Sequence, residues 1–512
     1  AGGHNAPVTY ALWMVLGEAL YQKYQNTGDK KYQADYNQTL LPIDCIGFRR
    51  SKQGMRTILE QNGLVDHPAM AQAQVRGIRA LAGHSESTDA TNDVNGGPSG
   101  IGIATAAGKA TFWDIIGASE SPKVMAVEGE FAMTSGHSQE MKTQAVAQQV
   151  GKRLRVLLSY NNAGIDAQLI GGVIQPQYES YRIVDQWTSY GWNVFSVDDA
   201  NDMSQVVAAF KAMEDSDPSD RRPMILIGKT TKGWWPGAEN GQIPGYGNQI
   251  TSFQSHPYTF AMNSEYFLAL AATFENRFNV KFKGISDGPI LDERERLIQY
   301  KENIDVVMSV LDKNGLGDWI ADRLVKIGEQ VKDQIPTRID TSIDPFMDER
   351  LDYRTLSLEP QTVTVTNPVS GEQKELEINM FEKPGVPKGS RRAISEIVKW
   401  VNYVTDNRLV LAAADLADSI NVEKGSIWGE FDPITNPAGV RLRSAIQEAG
   451  NVSTAVGLVS QSASLDPGKH SGVWALSGTY GAFTPLMYLP VRVWSQQNQD
   501  SPFRLGVLNI LA

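Results

Sequence analysis

An acidic residue stands directly after a glycine at the end of an apolar run, Val127-Glu128-Gly129-Glu130-Phe131. Roughly thirty residues further on, an asparagine pair, Asn161-Asn162, closes a second apolar run, Leu157-Leu158-Ser159-Tyr160. A carboxylate and an amide oxygen are hard ligands suited to Mg²⁺, which completes its shell with diphosphate oxygens and water. Gly129 would let the backbone come close to phosphate. The stretch therefore reads as a site for a magnesium ion carrying a diphosphate. A second set of groups is the six histidines. His4, His84, His137 and His256 stand beside glycine or serine in turns. Several imidazoles converging at the ends of a sheet would suit proton transfers among sugar hydroxyls, because their ordinary pKa lies near operating pH.

The elements that must position these groups can be read from periodicity. Lys123 to Val127, Arg153 to Ser159, Trp192 to Val197 and Pro223 to Gly228 carry strand signals, and Met203 to Met213 is an amphipathic helix before the last of them. Such alternation predicts an α/β fold with a parallel sheet covered on both faces. Ligands of such sheets sit at the carboxyl ends of the strands, where both halves of the acid and asparagine pattern fall. Upstream, Pro7 in a first turn predicts a helix running to about Tyr24. Asn95-Gly-Gly-Pro-Ser-Gly100 then leads into a helix of small residues, which allows close approach to a ligand or to a neighbouring helix.

From about Asn263 to Lys332 the pattern is helical and charged. From Asp333 to Pro387 it is irregular, with a hairpin expected around Thr362 to Ile378. A second α/β unit follows. Helices are expected at Arg391 to Tyr403 and Gly439 to Ala449, and strands at Arg408 to Ala414, Ala455 to Val459 and Arg504 to Leu511.

With 512 residues, two or more domains are expected. A net charge of -11 argues against a nucleic-acid partner, so a phosphorylated substrate would need local positive charge. The single cysteine, Cys45, excludes an intrachain disulfide and reads as a buried structural thiol. No apolar run is long enough to predict a membrane span, and the first residues lack the pattern of a signal peptide. The chain lacks an initial methionine and stops in an apolar strand, so both ends of the natural chain are expected to lie beyond it.

Short motifs recur in order along the chain: Gly3-His4, Gly83-His84-Ser85-Glu86, Gly97-Pro98-Ser99-Gly100-Ile101-Gly102, Gly129-Glu130 with Asn162, and Lys229-Thr-Thr-Lys-Gly233. Further on come Ser390-Arg391, Ala414-Asp415-Leu416-Ala417-Asp418-Ser419, Gly439-Val440-Arg441 with Gln447-Glu448-Ala449-Gly450, and Gly481-Ala482-Phe483-Thr484-Pro485. In this order the chain resembles the transketolase family over nearly its whole length. The early motifs are similar to the family's S-N-G-H, G-H-P-E and G-P-L-G-Q-G, and the later ones to its S-R, A-D-L-A-x-S and G-G-F-x-P.

The resemblance implies a thiamine diphosphate-binding fold of two related domains. Residues 1–262 would bind diphosphate and Mg²⁺, residues 388–512, truncated at their C-terminal end, would bind the pyrimidine, and residues 263–387 would form a helical and irregular linker. It further implies Glu130, Asn162 and the Gly164 carbonyl as metal ligands, although aligning on Ile165-Asp166 favours Asn161 over Asn162. Gly97, Pro98, Ser99, Gly100, Gly129, Phe131, Glu140, Phe483 and Tyr488 would surround the cofactor. Glu448 would hydrogen-bond the aminopyrimidine ring. His4, His84 and His256 would handle substrate hydroxyls and protons, while Arg391 and Ser419 would hold a sugar's terminal phosphate, since the guanidinium fork matches phosphate geometry.

The implied activity is transfer of a two-carbon ketol unit from a ketose phosphate to an aldose or its phosphate, by a cytoplasmic homodimer of pentose phosphate metabolism with active sites at the subunit interface. A phosphoketolase, another thiamine diphosphate enzyme or a non-catalytic subunit are the alternatives. Glu130 departs from the family's aspartate by one methylene, and Ser460 to Val473 forms an insertion.

Overall fold

The structure, a computed structural model, describes residues 5–50, 52–84, 86–87, 92–118, 122–164, 182–235, 263–331, 335–387, 389–462, 472–501 and 505–512. The chain opens with α1 (Ala6–Thr27), with proline in its first turn and Gly28 closing it in the left-handed conformation. Two short helices follow, α2 (Lys52–Gln61) and α3 (Ala71–Arg76). The glycine-rich turn then enters α4 (Ile101–Ile115), which is buried along almost its entire length.

The first sheet is built from β1 (Val124–Gly129), β2 (Leu154–Tyr160), β3 (Asn193–Val197) and β4 (Met224–Lys229). All pairings are parallel and the order is β1-β2-β4-β3. The four strands lie within a residue or two of their sequence-based positions. Between them run α5 (Gly136–Ala147), α6 (Ile183–Ser189) and α7 (Met203–Glu214). Val156, Leu158, Ile225 and Ile227 pack with α4, α5 and Trp187, while Leu157, Leu226 and Met224 pack with Met213 of α7. Both faces are therefore covered, which is why the strands read as near-continuous apolar runs.

Next come α8 (Glu265–Phe278), α9 (Glu293–Met308) and α10 (Leu316–Val331). Ala321 of α10 packs on Ala19 of α1, and Lys23 pairs with Asp322 at 2.8 Å. The expected hairpin is present as antiparallel β5 (Gln361–Thr366) and β6 (Gln373–Ile378).

The second sheet follows α11 (Ser390–Val404) and consists of parallel strands β7 (Leu409–Ala413), β8 (Trp474–Gly478) and β9 (Leu508–Leu511) in that order. Here the sequence-based expectations need correction. Residues 439–447 are not helical: Arg441 bridges Leu411 in parallel, and the helix α12 (Glu448–Gln461) begins only at Glu448. The expected strand at Ala455 to Val459 lies inside α12. This helix is buried on all sides, so it shows no polar stripe, and a short apolar run of this kind does not distinguish helix from strand. Strand β8 has no counterpart among the sequence-based strands. The last strand is shorter than expected, and Arg504 lies outside the described residues. A final helix, α13 (Tyr488–Asp500), precedes β9.

The helices of the two sheets interlock. A Cβ on Gly108 of α4 would stand 2.0 Å from the Thr454 carbonyl oxygen, and one on Gly457 of α12 would stand 2.2 Å from that of Thr105. Only glycine allows this approach, and it sets the N-terminus of α12 against α5.

Candidate active site

The acid and asparagine pattern forms one corner at the carboxyl ends of β1 and β2. Parallel pairing of Gly129 with Ser159 brings the two turns side by side. Glu130 is 1% exposed, and its Oε1 accepts from the Ala163 amide at 3.2 Å. Burial raises its pKa, opposed by the backbone N–H groups of Glu130 itself, Asn161, Ala163 and Asn162. Asn161 Oδ1 accepts from the same Ala163 amide at 2.9 Å, while Asn162 adopts the left-handed conformation. The Gly164 carbonyl accepts from Lys232 Nζ at 2.6 Å. The Phe131 ring packs beneath Gly164, so close that a Cβ there would lie 2.8 Å from its Cζ. A Cβ on Gly129 would meet nothing within 4 Å.

No group of three or more histidine, cysteine, aspartate or glutamate side chains gathers as a metal site among the described residues. The donors here are instead one carboxylate, an amide and a carbonyl, all hard oxygens, and an ammonium already hydrogen-bonds the carbonyl. That set fits a magnesium ion that takes its remaining ligands from phosphate and water.

The glycine-rich turn is seated on this corner. Gly100 has φ +84, and a Cβ on it would collide with Ser135 Oγ at 2.1 Å, the side chain that caps α5. Gly97, Pro98 and Ser99 line a cavity of about 580 Å³ together with Lys109, Glu128 and Gln461. Burial pushes the Glu128 carboxyl up to about 7 and the Lys109 ammonium down to about 8.

Glu448 is the first residue of α12 and is 6% exposed. Its Oε1 accepts from Thr479 Oγ1 at 3.1 Å. Glu140, on α5, accepts from the Gly450 amide at 2.5 Å. The Glu140 carboxyl is raised, first by burial and further by the charge of Glu448. Around them Gln447 donates to Thr143 at 2.5 Å, and Gln144 hydrogen-bonds Asn451. Thus α5, which begins just past the Glu130 turn, meets α12 within one chain.

Arg391, Ser419, Phe483 and Tyr488 lie near the second sheet. Arg391 stacks over the Tyr480 ring at 5.5 Å and donates to the Ser419 carbonyl at 3.4 Å. Both Arg391 and Ser419 are exposed at this corner. Phe483 is 46% exposed and Tyr488 68%, on the turn and helix after β8. The His84 side chain is exposed, with its backbone carbonyl accepting from Tyr10 Oη at 3.5 Å. His4 and His256 lie outside the described residues. Cys45 is half-buried beside Met14, and burial pushes its thiol up to about 11, so it is a structural group.

Residues 66–255 match the family described as transketolase, thiamine diphosphate binding domain. The match covers little more than a third of the chain. Among solved structures, the chain is similar to a mutant transketolase from Pichia stipitis, with 17% identity, a TM-score of 0.52, and 83% of this chain and 54% of that one covered. It is also similar to transketolase from Leishmania mexicana, with 15% identity, a TM-score of 0.51 and coverages of 86% and 57%. Transketolase from Campylobacter jejuni aligns at 15% identity and a TM-score of 0.50, with coverages of 89% and 58%. At these identities the likeness establishes the fold, and the chain spans little more than half the length of each structure. Comparison with curated protein sequences gave no match.

Within the transketolase-type domain, two side chains escaped the sequence reading. Glu128 carried a signal, being a carboxylate inside the strand run Met125 to Gly129, where a buried charge is rare. Lys232 lies inside the Lys229 to Gly233 motif, but no spacing points to its partner, which is 68 residues away in sequence.

Proposed function

We propose that the chain is a thiamine diphosphate- and Mg²⁺-dependent transferase that moves a two-carbon ketol unit from a ketose phosphate to an aldose or its phosphate. The observation that carries this reading is the meeting of Glu448 and Glu140 at the start of α12, on the helix that follows the Glu130 turn. When bound, thiamine diphosphate supplies a nucleophilic carbon and an electron sink for the two-carbon unit. Glu130, Asn162 and the Gly164 carbonyl would hold the metal, with Asn161 the other candidate for the amide ligand. Gly97 to Gly100 would offer backbone to the cofactor. Glu448 would hold a proton at the pyrimidine ring nitrogen, with Thr479 orienting its carboxylate and Glu140 keeping a second acid beside it. Phe483 and Tyr488 offer aromatic faces for the ring.

Arg391 and Ser419 would take the terminal phosphate of the sugar, with His4, His84 and His256 on its hydroxyls. One of the Pichia stipitis transketolase structures is a complex with sedoheptulose 7-phosphate, and a mutant of it is a complex with fructose 6-phosphate, which supports this substrate class. The domain division at 1–262, 263–387 and 388–512, the cytoplasmic homodimer and sites at its subunit interface belong to the same proposal. Exposed apolar side chains at Phe483, Leu486 and Tyr488 are a surface that a second copy would cover.

The test is calorimetric titration of thiamine diphosphate with Mg²⁺, followed by product analysis on xylulose 5-phosphate with ribose 5-phosphate. Binding that is lost in Glu130→Ala, together with a new seven-carbon ketose phosphate, is the expected result. No binding to the intact protein would defeat the enzyme reading. Acetyl phosphate formed from inorganic phosphate would move the assignment to phosphoketolase.

A further inference from the structure

Lys232 has no part in the function just described, yet it sits in the metal corner. It lies on the segment that leaves β4, and that segment is fixed at several points. The Thr230 amide donates to the Tyr160 carbonyl at 2.9 Å, and the Thr230 and Ser159 hydroxyls are 2.9 Å apart. Beyond it, the Trp234 amide donates to the Thr231 carbonyl at 3.0 Å, and Trp235 Nε1 donates to Thr273 Oγ1 at 2.5 Å. The half-buried lysine is thus delivered to one place by an anchored loop.

Its Nζ stands 2.6 Å from the Gly164 carbonyl oxygen. Burial favours the neutral amine, and the negative charge of Glu130 opposes that, so the ammonium feels the carboxylate at the centre of the corner. Resting on the reading of Glu130, Asn162 and Gly164 as the metal's ligands, the same oxygen is claimed twice. A carbonyl directed at an ammonium has that lone pair occupied, and two cations drawn to one carboxylate in a partly buried site repel each other.

We propose that Lys232 is a tethered cation that competes with the divalent metal for the Gly164 carbonyl and for the field of Glu130, so that metal enters only by displacing the ammonium. Lys232 then sets the metal affinity of the corner before any cofactor arrives. Removing its charge frees an oxygen ligand and leaves Glu130 uncompensated, and both effects favour the metal.

The measurement is Mn²⁺ binding to the intact chain without thiamine diphosphate, followed by the electron paramagnetic resonance signal of free Mn²⁺. Lys232→Met is expected to bind Mn²⁺ about ten-fold more tightly than the natural protein. Lys232→Gln, a neutral side chain that can still donate to Gly164, should fall between the two, and it carries the test if the methionine variant fails to fold. Equal or weaker Mn²⁺ affinity in the neutral variants overturns the proposal. Glu130→Ala separates the two levels of inference. If it binds Mn²⁺ as well as the natural protein, or if no form binds, the corner is not the metal site and the reading beneath the proposal falls with it. If Glu130→Ala loses binding while Lys232→Met gains none, only the role of Lys232 is wrong.

Discussion

The two acidic corners are built differently. Glu130 stands on a turn at the end of a strand, and the groups that oppose the effect of its burial are backbone N–H donors of its own turn and the adjacent loop. Glu448 stands at the head of a buried helix, held by the Thr479 hydroxyl, and its charge raises the neighbouring Glu140. Fixed amide dipoles around a carboxylate favour its charged form and offset part of the burial penalty, which suits it to holding a cation. Two carboxylates in a buried setting disfavour double ionisation and can hold a proton. In the proposed function one corner would take the metal and diphosphate and the other would do acid–base work on a ring nitrogen, and the crossing of α4 and α12 at paired glycines joins them.

The largest effect should come from separating those roles. Glu448→Ala is expected to lower kcat by about 10²–10⁴-fold, or about 3–5 kcal/mol, while Mg²⁺ and thiamine diphosphate affinities change by no more than a few-fold. Glu130→Ala should do the reverse and lose the cofactor. If steady-state rates and calorimetry show Glu448→Ala losing metal binding as severely as Glu130→Ala, the corners are one site and the contrast is broken.

Next in size is the joint between them. Gly457→Leu would drive a side chain into the Thr105 carbonyl, and denaturant unfolding should show a loss of about 3 kcal/mol or more. Gly129→Ala, whose Cβ meets open space, should cost less than about 1 kcal/mol. Equal losses would mean that the glycines at the joint are not what holds α12 in place.

The contrast also explains what could be read from the sequence. The four strands of the first sheet are apolar runs of five to seven residues, and an amphipathic helix precedes β4. The acid and the asparagines sit at their ends, in local patterns. Around Glu448 the local signal fails, because Ala449 to Ser460 is buried on every side. The sequence pattern therefore predicts a helix that begins too early and a strand where the second half of α12 lies. The hydrogen bond from Thr479 to Glu448 and that from Gly450 to Glu140 span 31 and 310 residues, and no spacing rule reaches such pairs. The same is true of Lys232.

A cation on α5 gives a test of comparable size that uses pH. Lys142 is fully buried, donates to Gln139 and Gln186 at 3.0 and 2.9 Å, and lies 4.8 Å from the Trp187 ring centroid. Burial lowers its pKa from 10.5 to about 8. Below pH 8 both folded and unfolded chains carry the charge, and the burial cost is constant. Between pH 8 and 10.5 the folded chain releases a proton that the unfolded chain retains, so this lysine makes stability rise with pH, by about 3 kcal/mol at most. Lys142→Met should lack that rise when the two unfolding curves are compared across the window. Parallel curves would show that the ammonium is better solvated than its burial indicates.

The smallest expected effect probes the Glu448 corner alone. Thr479 is 1% exposed and places its hydroxyl on Glu448 Oε1. Thr479→Val keeps the shape and removes the donor, which should cost about 1–2 kcal/mol in stability or in transition-state binding. Thr479→Ser should recover most of it. A purely structural role would lower stability and leave kcat of the folded protein where it was. A positioning role would lower kcat of the folded protein while leaving KM unchanged. The expected result is a lower kcat in Thr479→Val, restored in Thr479→Ser, with Mn²⁺ affinity at the Glu130 corner unchanged in both. A change in Mn²⁺ affinity would instead couple the two corners through the α4 and α12 crossing, and the division between a cation site and a proton site would have to be given up.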